Sequence, residues 1–196
     1  MALCFVHGAA GYLGYEVVRR NGPPQPVLLA AAVALANAPD LDFLPGLLTG
    51  QPALYHRGLT HTLGAVVAVG VVVGLALRAL GWRTGTASRA ALWVAAVYAS
   101  HLVLDFFTTD VKGPHGARLL WPLSNEYLIS PVTPFGEVII DPSGCLAFVQ
   151  SLVQAPALRV WLGEIGLLVL VVAAVRIVRL VRAGLDAAAA EVPEEP

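Results

Sequence analysis

The chain has 196 residues, 57% of them apolar and 13% charged, against roughly 45–50% apolar and 25% charged in an ordinary soluble domain. That composition excludes a disordered chain and argues against a soluble globule. Lysine and arginine number 12 and aspartate and glutamate 13, a formal charge of −1, so there is no basic field to hold nucleic acid through its phosphates.

The first 20 residues are apolar, with no Lys or Arg ahead of the run and His7 interrupting it. This is a poor signal peptide and reads as a retained helix. Pro23, Pro24 and Pro26, following Arg19, Arg20 and Gly22, mark a turn. Val27 to Ala38 gives only about 18 Å of helix, so it either enters a bilayer part way or is extended by its flanks. Thr60 to Leu80, Arg89 to Thr108 and Val160 to Val181 are each long and apolar enough to cross a hydrocarbon core of about 30 Å. Gly81 to Ser88 separates the first two of these as a turn, and Asp110 to Pro156 is a loop rich in Pro and Gly. The acidic stretch from Gly184 is expected to fray. Cys4 and Cys145 lie outside any CxxC or zinc-knuckle spacing and are expected as unpaired apolar fillers. The predicted fold is all-α: a helical integral membrane protein with four to five embedded helices, one domain over 1–183 and a short tail over 184–196.

Threading the five segments alternately with the N-terminus outside gathers Arg19, Arg20, Arg78, Arg83, Arg89, Arg176, Arg179 and Arg182 on one side. Arg57, Lys112, Arg118 and Arg159 remain for the other. The bias has the sign of the positive-inside rule and fits a multi-pass membrane protein. Under this threading His7, Asp40, Asp42, His56, His61, His101 and Asp105 all fall toward the outer, extracytoplasmic ends of the segments. His101 and Asp105 are four residues apart, so one helix face carries both.

Ionisable groups near apolar surroundings cost several kcal/mol unless something pairs with them. Arg57 is the one arginine within these motifs, so the missing positive charge points to a divalent metal. Imidazole nitrogen mixed with carboxylate oxygen suits zinc, and also manganese or iron. The ligands suffice for one ion or for two at about 3.5–4 Å. The blander reading of each motif is local: Asp40 and Asp42 capping a turn after Pro39, and Thr60 as a helix N-cap with His61 in the first turn.

The motifs "PDLD" at 39–42, "HRGLTHT" at 56–62, "SHLVLDFFT" at 100–108 and "LLWPLS" at 119–124 resemble, in that order, the YdjM-like family of LexA-regulated, membrane-bound metal-dependent hydrolases. The resemblance implies a small helical inner-membrane protein with a metal centre and hydrolase activity. A more distant likeness is to the zinc-dependent phospholipase C and P1 nuclease group, whose ligand order is similar to His7, Asp40, His61, His101 and Asp105. That likeness implies that Asp105 bridges two metals. The group's further His and H-x3-E ligands have no counterpart after Asp105, since His115 stands in a Gly-rich loop with no Glu at that spacing.

The expected function is hydrolysis of a phosphoester, including a lipid-linked one presented at the outer leaflet. His101, Asp105, His61 and Asp40 would hold the principal ion, and His7, Asp42 and His56 a second ion or its surroundings. Bound metal would lower the pKa of water toward neutrality, with Asp42 or Asp105 accepting the proton. Arg57 and the amides of a helix beginning at His61 would face the anion. Asp110, His115 and Glu126 are expected to be solvated loop groups. The rival class is a non-enzymatic membrane protein, either a metal or proton transporter or a metal-stabilised bundle. A transporter places its ionisable groups near the membrane midplane rather than at helix ends.

Overall fold

The computed structural model describes residues 4–19, 23–51, 54–111 and 115–190. Arg20, Lys112 and the last residues of the tail, 191–196, lie outside them. The described residues form seven α-helices, with no strand beyond two isolated bridges. They are α1 (Cys4–Val18), α2 (Pro26–Ala36), α3 (Phe43–Leu48), α4 (Leu63–Ala79), α5 (Thr84–Phe106), α6 (Cys145–Ser151) and α7 (Ala155–Ala190), with 3-10 turns at Ala38–Asp42 and Leu59–His61.

Local chemistry accounts for the boundaries. Pro26 opens α2 at a position that needs no N–H. Helix α2 and the segment Ala38–Leu48 meet at a bend of 58°, where the Asn37 side chain donates back to the Val33 carbonyl at 2.8 Å. The N-cap of α4 is Thr62 and not Thr60: the Thr62 hydroxyl accepts from the Ala65 amide at 3.1 Å, and His61 sits in the 3-10 turn before it. The turn between α4 and α5 is shorter than the sequence suggested, because Thr84 to Ser88 already belong to α5. It turns at Gly81, whose φ of +84° is the left-handed region glycine tolerates. At the other end, α7 runs past Gly184 to Ala190, in keeping with the high helix propensity of the alanine run. Among its described residues the expected Asp110–Pro156 loop is irregular except for α6 and the start of α7 at Ala155. The cysteines are unpaired, but both are exposed rather than core fillers, since each sits at the first position of its helix, α1 or α6.

Helix α5 is the one described helix long and apolar enough to cross a membrane, and only 28% of its apolar window is buried. The bent pair around Asn37 passes the same test as one broken span, and α4 is a shorter apolar helix. Large apolar side chains remain exposed along α4, α5 and α7, among them Val71, Leu75, Leu92, Leu170 and Leu180.

Contacts fix the directions of the helices. On α1, Gly11 lies against Ala32 of α2 and Gly14 against Val97 of α5, while the Val6 amide donates to Glu164 of α7 at 3.2 Å and Glu16 pairs with Arg179 of α7. Helix α1 is therefore antiparallel to α2 and α5 and parallel to α7. Gly70 and Gly74 of α4 meet Ala95 and Ala91 of α5 in that order, an antiparallel contact through small residues of the kind that lets apolar helices approach closely. Tyr12, Tyr15 and Ala32 form one buried cluster with Trp93 and Val175 against it, and Val66, Tyr98 and Leu102 form another between α4 and α5. The tightest approach is at Gly11, where a Cβ would stand 2.7 Å from the Ala32 carbonyl oxygen and from the Val33 Cα, both backbone atoms.

Gly11→Ala should therefore destabilise the protein by about 1–3 kcal/mol through overpacking. At Gly14 the obstacle is the Val97 side chain, which can shift, so Gly14→Ala should cost less. Thermal unfolding of both variants in detergent checks the order.

Candidate metal centre

Four parts of the chain deliver polar side chains to one buried place. On α5 the four-residue spacing puts His101 and Asp105 on one face, both buried, and the first turn of α1 adds His7. The turn after the Asn37 bend carries Asp40 and Asp42, and the segment before α4 brings His56, Arg57 and His61.

Hydrogen bonds set the two central imidazoles. His101 Nδ1 lies 2.9 Å from the Ala36 carbonyl oxygen, one of the last carbonyls of α2, which has no partner within its own helix. A carbonyl can only accept, so Nδ1 carries the hydrogen and Nε2 the lone pair. His61 Nδ1 lies 3.1 Å from Asp42 Oδ2, an oxygen that also accepts from the Thr60 hydroxyl at 2.9 Å. By the same reasoning His61 Nε2 is turned inward, and the two Nε2 atoms face each other at 3.2 Å. Two bare lone pairs at that distance repel unless a proton or a cation lies between them.

The surroundings favour a cation. Asp40 Oδ1 is 3.5 Å from His61 Nε2 and 3.4 Å from His101 Nε2, while Asp105 Oδ2 is 3.6 and 3.9 Å from the same two atoms. A tetrahedral zinc with bonds of 2.0–2.1 Å has ligand atoms about 3.3 Å apart. Asp40 and Asp105 thus each stand 3.4–3.9 Å from both imidazole nitrogens, the order of separation expected between ligand atoms of one ion. Asp40 Oδ1 and both oxygens of Asp105 are buried without a hydrogen-bond partner, which is costly unless a cation faces them. The residues fit a divalent ion. His7–His101–Asp105 and Asp40–His56–His61 also form two triads whose ligand atoms lie within 4.8 Å of one another.

The other expected residues surround this quartet. The His7 ring stacks on His101 at 3.7 Å, with Nε2 3.6 Å from Asp105 Oδ1 and neither ring nitrogen hydrogen-bonded. Asp105 thus presents one oxygen to His61 and His101 and the other to His7. The His56 ring stacks on Phe43 at 4.0 Å, and its Nδ1 is 3.1 Å from Asp42 Oδ1. Both Asp42 oxygens are therefore engaged by imidazole Nδ1 atoms, which places this residue as a support of His56 and His61. Arg57 adopts φ +58°, a left-handed conformation that is costly for a side chain of this size and concentrates at functional sites. Its Nε is 3.5 Å from Asp105 Oδ2 and its Nη1 2.6 Å from Asp110 Oδ2, while Nη2 is buried without a partner.

Two expectations need correction. The first amides of α4 are not available to an anion, because Leu63 and Gly64 donate to the carbonyls of Leu119 and Trp121 at 2.7 and 2.9 Å and Ala65 to its Thr62 cap. The "LLW" segment of the loop has closed that helix end. Nor is Asp110 a solvated group: besides Arg57 it accepts from the Gly116 amide at 2.8 Å and so ties the loop to the site. His115 and Glu126 are exposed, as expected. Sequence reading missed Thr60 as the hydroxyl that holds Asp42, and Tyr98, which donates to the Thr60 carbonyl at 2.8 Å. Tyr98 lies three residues before His101, a spacing that already placed it on the same face of α5.

Burial disfavours charge on His61, but Asp40 and Asp42 outweigh it and push the imidazole up to about 9. His56, with burial dominant over Asp42, is held below the ordinary imidazole range. In the metal-free protein the His61 proton supplies the positive charge between the two Nε2 atoms, and a metal must displace it.

The family model described as YdjM inner membrane protein matches residues 1–183. No curated protein and no solved structure matches the chain, so the likeness to the phospholipase C and P1 nuclease group gains no support from them.

Replacing His61, His101, Asp40 or Asp105 by Ala should strip zinc or manganese from the purified protein, read by elemental analysis. Asp42→Asn should instead weaken binding by about 10–100-fold, the usual effect of losing a ligand's support. Because binding displaces the His61 proton, apparent affinity should rise about tenfold per pH unit below pH 9, measured by chelator competition between pH 6.5 and 8.5. A flat profile would contradict the assignment.

Proposed function

The chain belongs to the YdjM inner membrane protein family, and from that premise we propose that it is a membrane-bound metal-dependent hydrolase acting on a phosphoester. The carrying observation is the pair of inward imidazole nitrogens of His61 and His101, 3.2 Å apart and flanked by Asp40 and Asp105.

In this reading α1, α2, α4, α5 and α7 are the membrane-embedded helices of a multi-pass protein, with the metal centre at the extracytoplasmic end of the bundle. The directions of α1, α2, α4, α5 and α7 support it, since they alternate in chain order as successive crossings must. Arg19, Arg78, Arg83, Arg176, Arg179 and Arg182 then lie at the end remote from His7, Asp40, His61 and Asp105, the distribution the positive-inside rule requires for a cytoplasmic face. Exposed apolar side chains along α4, α5 and α7 are what lipid contact would demand.

His61, His101, Asp40 and Asp105 would hold the principal ion, zinc by the ligand set with manganese or iron as alternatives. His56 would serve a second ion or its surroundings. Bound metal would polarise a phosphoryl oxygen and acidify an adjacent water. The chain's own part is to position and neutralise. Asp105 Oδ1 accepts the proton released by the attacking water, with His7 Nε2 beside it to take the proton onward. Arg57, held by Asp110, turns Nη2 toward the negative charge that grows on the phosphoryl group. Asp42 keeps His56 and His61 oriented throughout.

In detergent with Zn²⁺ or Mn²⁺, p-nitrophenyl phosphate or bis-p-nitrophenyl phosphate should be hydrolysed. His101→Ala and Asp105→Asn should abolish turnover, and Arg57→Gln should lower kcat by about 10²–10³ with metal content retained. Metal flux into liposomes without turnover would instead establish a transporter, and metal retention with neither would establish a metal-stabilised bundle.

A further inference from the structure

A cleft of about 1120 Å³ opens beside the metal centre. Asp42, His56, Arg57 and Thr60 form its inner wall, so a molecule seated there reaches the metal ligands from the His56 side. The space is slightly larger than the roughly 300–1,000 Å³ of drug-sized ligand sites and far exceeds what inorganic phosphate needs.

The lining also has a built cation. Ala117 and Leu128 pair through reciprocal backbone hydrogen bonds of 3.3 and 2.9 Å, and their neighbours Arg118 and Tyr127 both line the cleft. The Arg118 guanidinium lies over the Tyr127 ring at 6.0 Å. No carboxylate among the described residues pairs with Arg118, whereas Arg57 is engaged by Asp105 and Asp110. The position is held from both sides. Gly116, at φ +87°, could not carry a Cβ without striking the Leu128 carbonyl, and its amide is bound by Asp110, which also anchors Arg57. One carboxylate thus fixes the spacing between the arginine at the metal centre and the loop that presents Arg118.

The rest of the lining is mostly apolar, with Glu137 and the Arg57-bound Asp110 as its carboxylates. Leu41, Leu54 and Leu59 line the cleft and are 60%, 57% and 60% exposed. A guanidinium without a carboxylate partner and three exposed leucines sharing one cavity match an amphiphile with an anionic head and an apolar tail.

We propose that this cleft is the binding site for a lipid phosphate, with Arg118 holding a phosphate oxygen and Leu41, Leu54 and Leu59 covering the first part of the acyl chains. The proposal deepens the hydrolase reading by naming the substrate class, and rests on that reading only for the outcome after binding. Guanidinium suits phosphate because it is planar, always charged and able to make two parallel hydrogen bonds.

The test measures equilibrium binding to the metal-loaded protein in detergent by calorimetry, with three probes: dihexanoyl phosphatidic acid, inorganic phosphate and uncharged dihexanoylglycerol. Phosphatidic acid should bind at least about tenfold more tightly than either of the others. Arg118→Gln should weaken it about tenfold with metal content and melting temperature unchanged, and Arg118→Lys should recover part of the loss. Leu41→Ser with Leu59→Ser should weaken phosphatidic acid and leave inorganic phosphate unaffected. Equal affinity for phosphatidic acid and inorganic phosphate, or an Arg118→Gln variant that binds like the parent, overturns the proposal. Binding that depends on Arg118 without turnover of any phosphoester supports the cleft assignment and overturns the hydrolase reading alone.

Discussion

Two imidazole lone pairs and two carboxylates held together in a buried place are unstable without positive charge, and much of the local structure exists to hold them there. The Ala36 carbonyl at the end of α2 takes the outer hydrogen of His101, and Asp42 takes that of His61, so both rings turn their remaining nitrogens inward. Thr60 holds Asp42, and Tyr98 holds the Thr60 carbonyl. A chain of neutral and charged hydrogen bonds therefore runs from α5 through the segment before α4 and back to the acidic turn after α2. Such networks strengthen one another at low dielectric and are costly when incomplete, and the inner atoms they orient are ones that could hold a metal ion.

The helices make that concentration possible by approaching closely and alternating in direction. Gly11 lets α1 lie on the α2 backbone, and Gly70 and Gly74 let α4 lie on Ala95 and Ala91 of α5. Small residues at these crossings draw the helix ends together, so that the first turn of α1, the end of α2, the start of α4 and the last turns of α5 share one level. Apolar side chains left outside the bundle suit an apolar solvent, in keeping with the inner-membrane family.

The loop after α5 connects the site to its surroundings. It closes the α4 N-terminus with two backbone carbonyls, which removes one anion-binding feature, and through Asp110 it fixes Arg57 and Gly116 together. In the proposed function the positive charge offered to a substrate would come from two arginines on a single scaffold rather than from helix amides. A strained backbone at Arg57 fits this picture, since the surrounding contacts impose the conformation.

Helix positions were legible from the chain alone because apolar runs, prolines and glycines act locally. The pairing of His101 with Asp105 was legible because helical spacing is a property of one segment. Asp40, His61 and His7 could be nominated from residue type and from the expense of leaving them unpaired. The role of Asp42 could not, because whether a carboxylate binds a metal or an imidazole Nδ1 depends on which side of the ring reaches it. Asp110 looked like solvated loop chemistry for the same reason: its partners, Arg57 and Gly116, lie 53 and 6 residues away. Thr60 was expected to cap α4 and instead braces Asp42, since Thr62 is better placed for the cap. Residue identities and local periods set which groups were present and on which helix face. Only the close packing of separate helices decided which atoms meet, because that depends on interhelical distances and ring orientations that no single segment encodes.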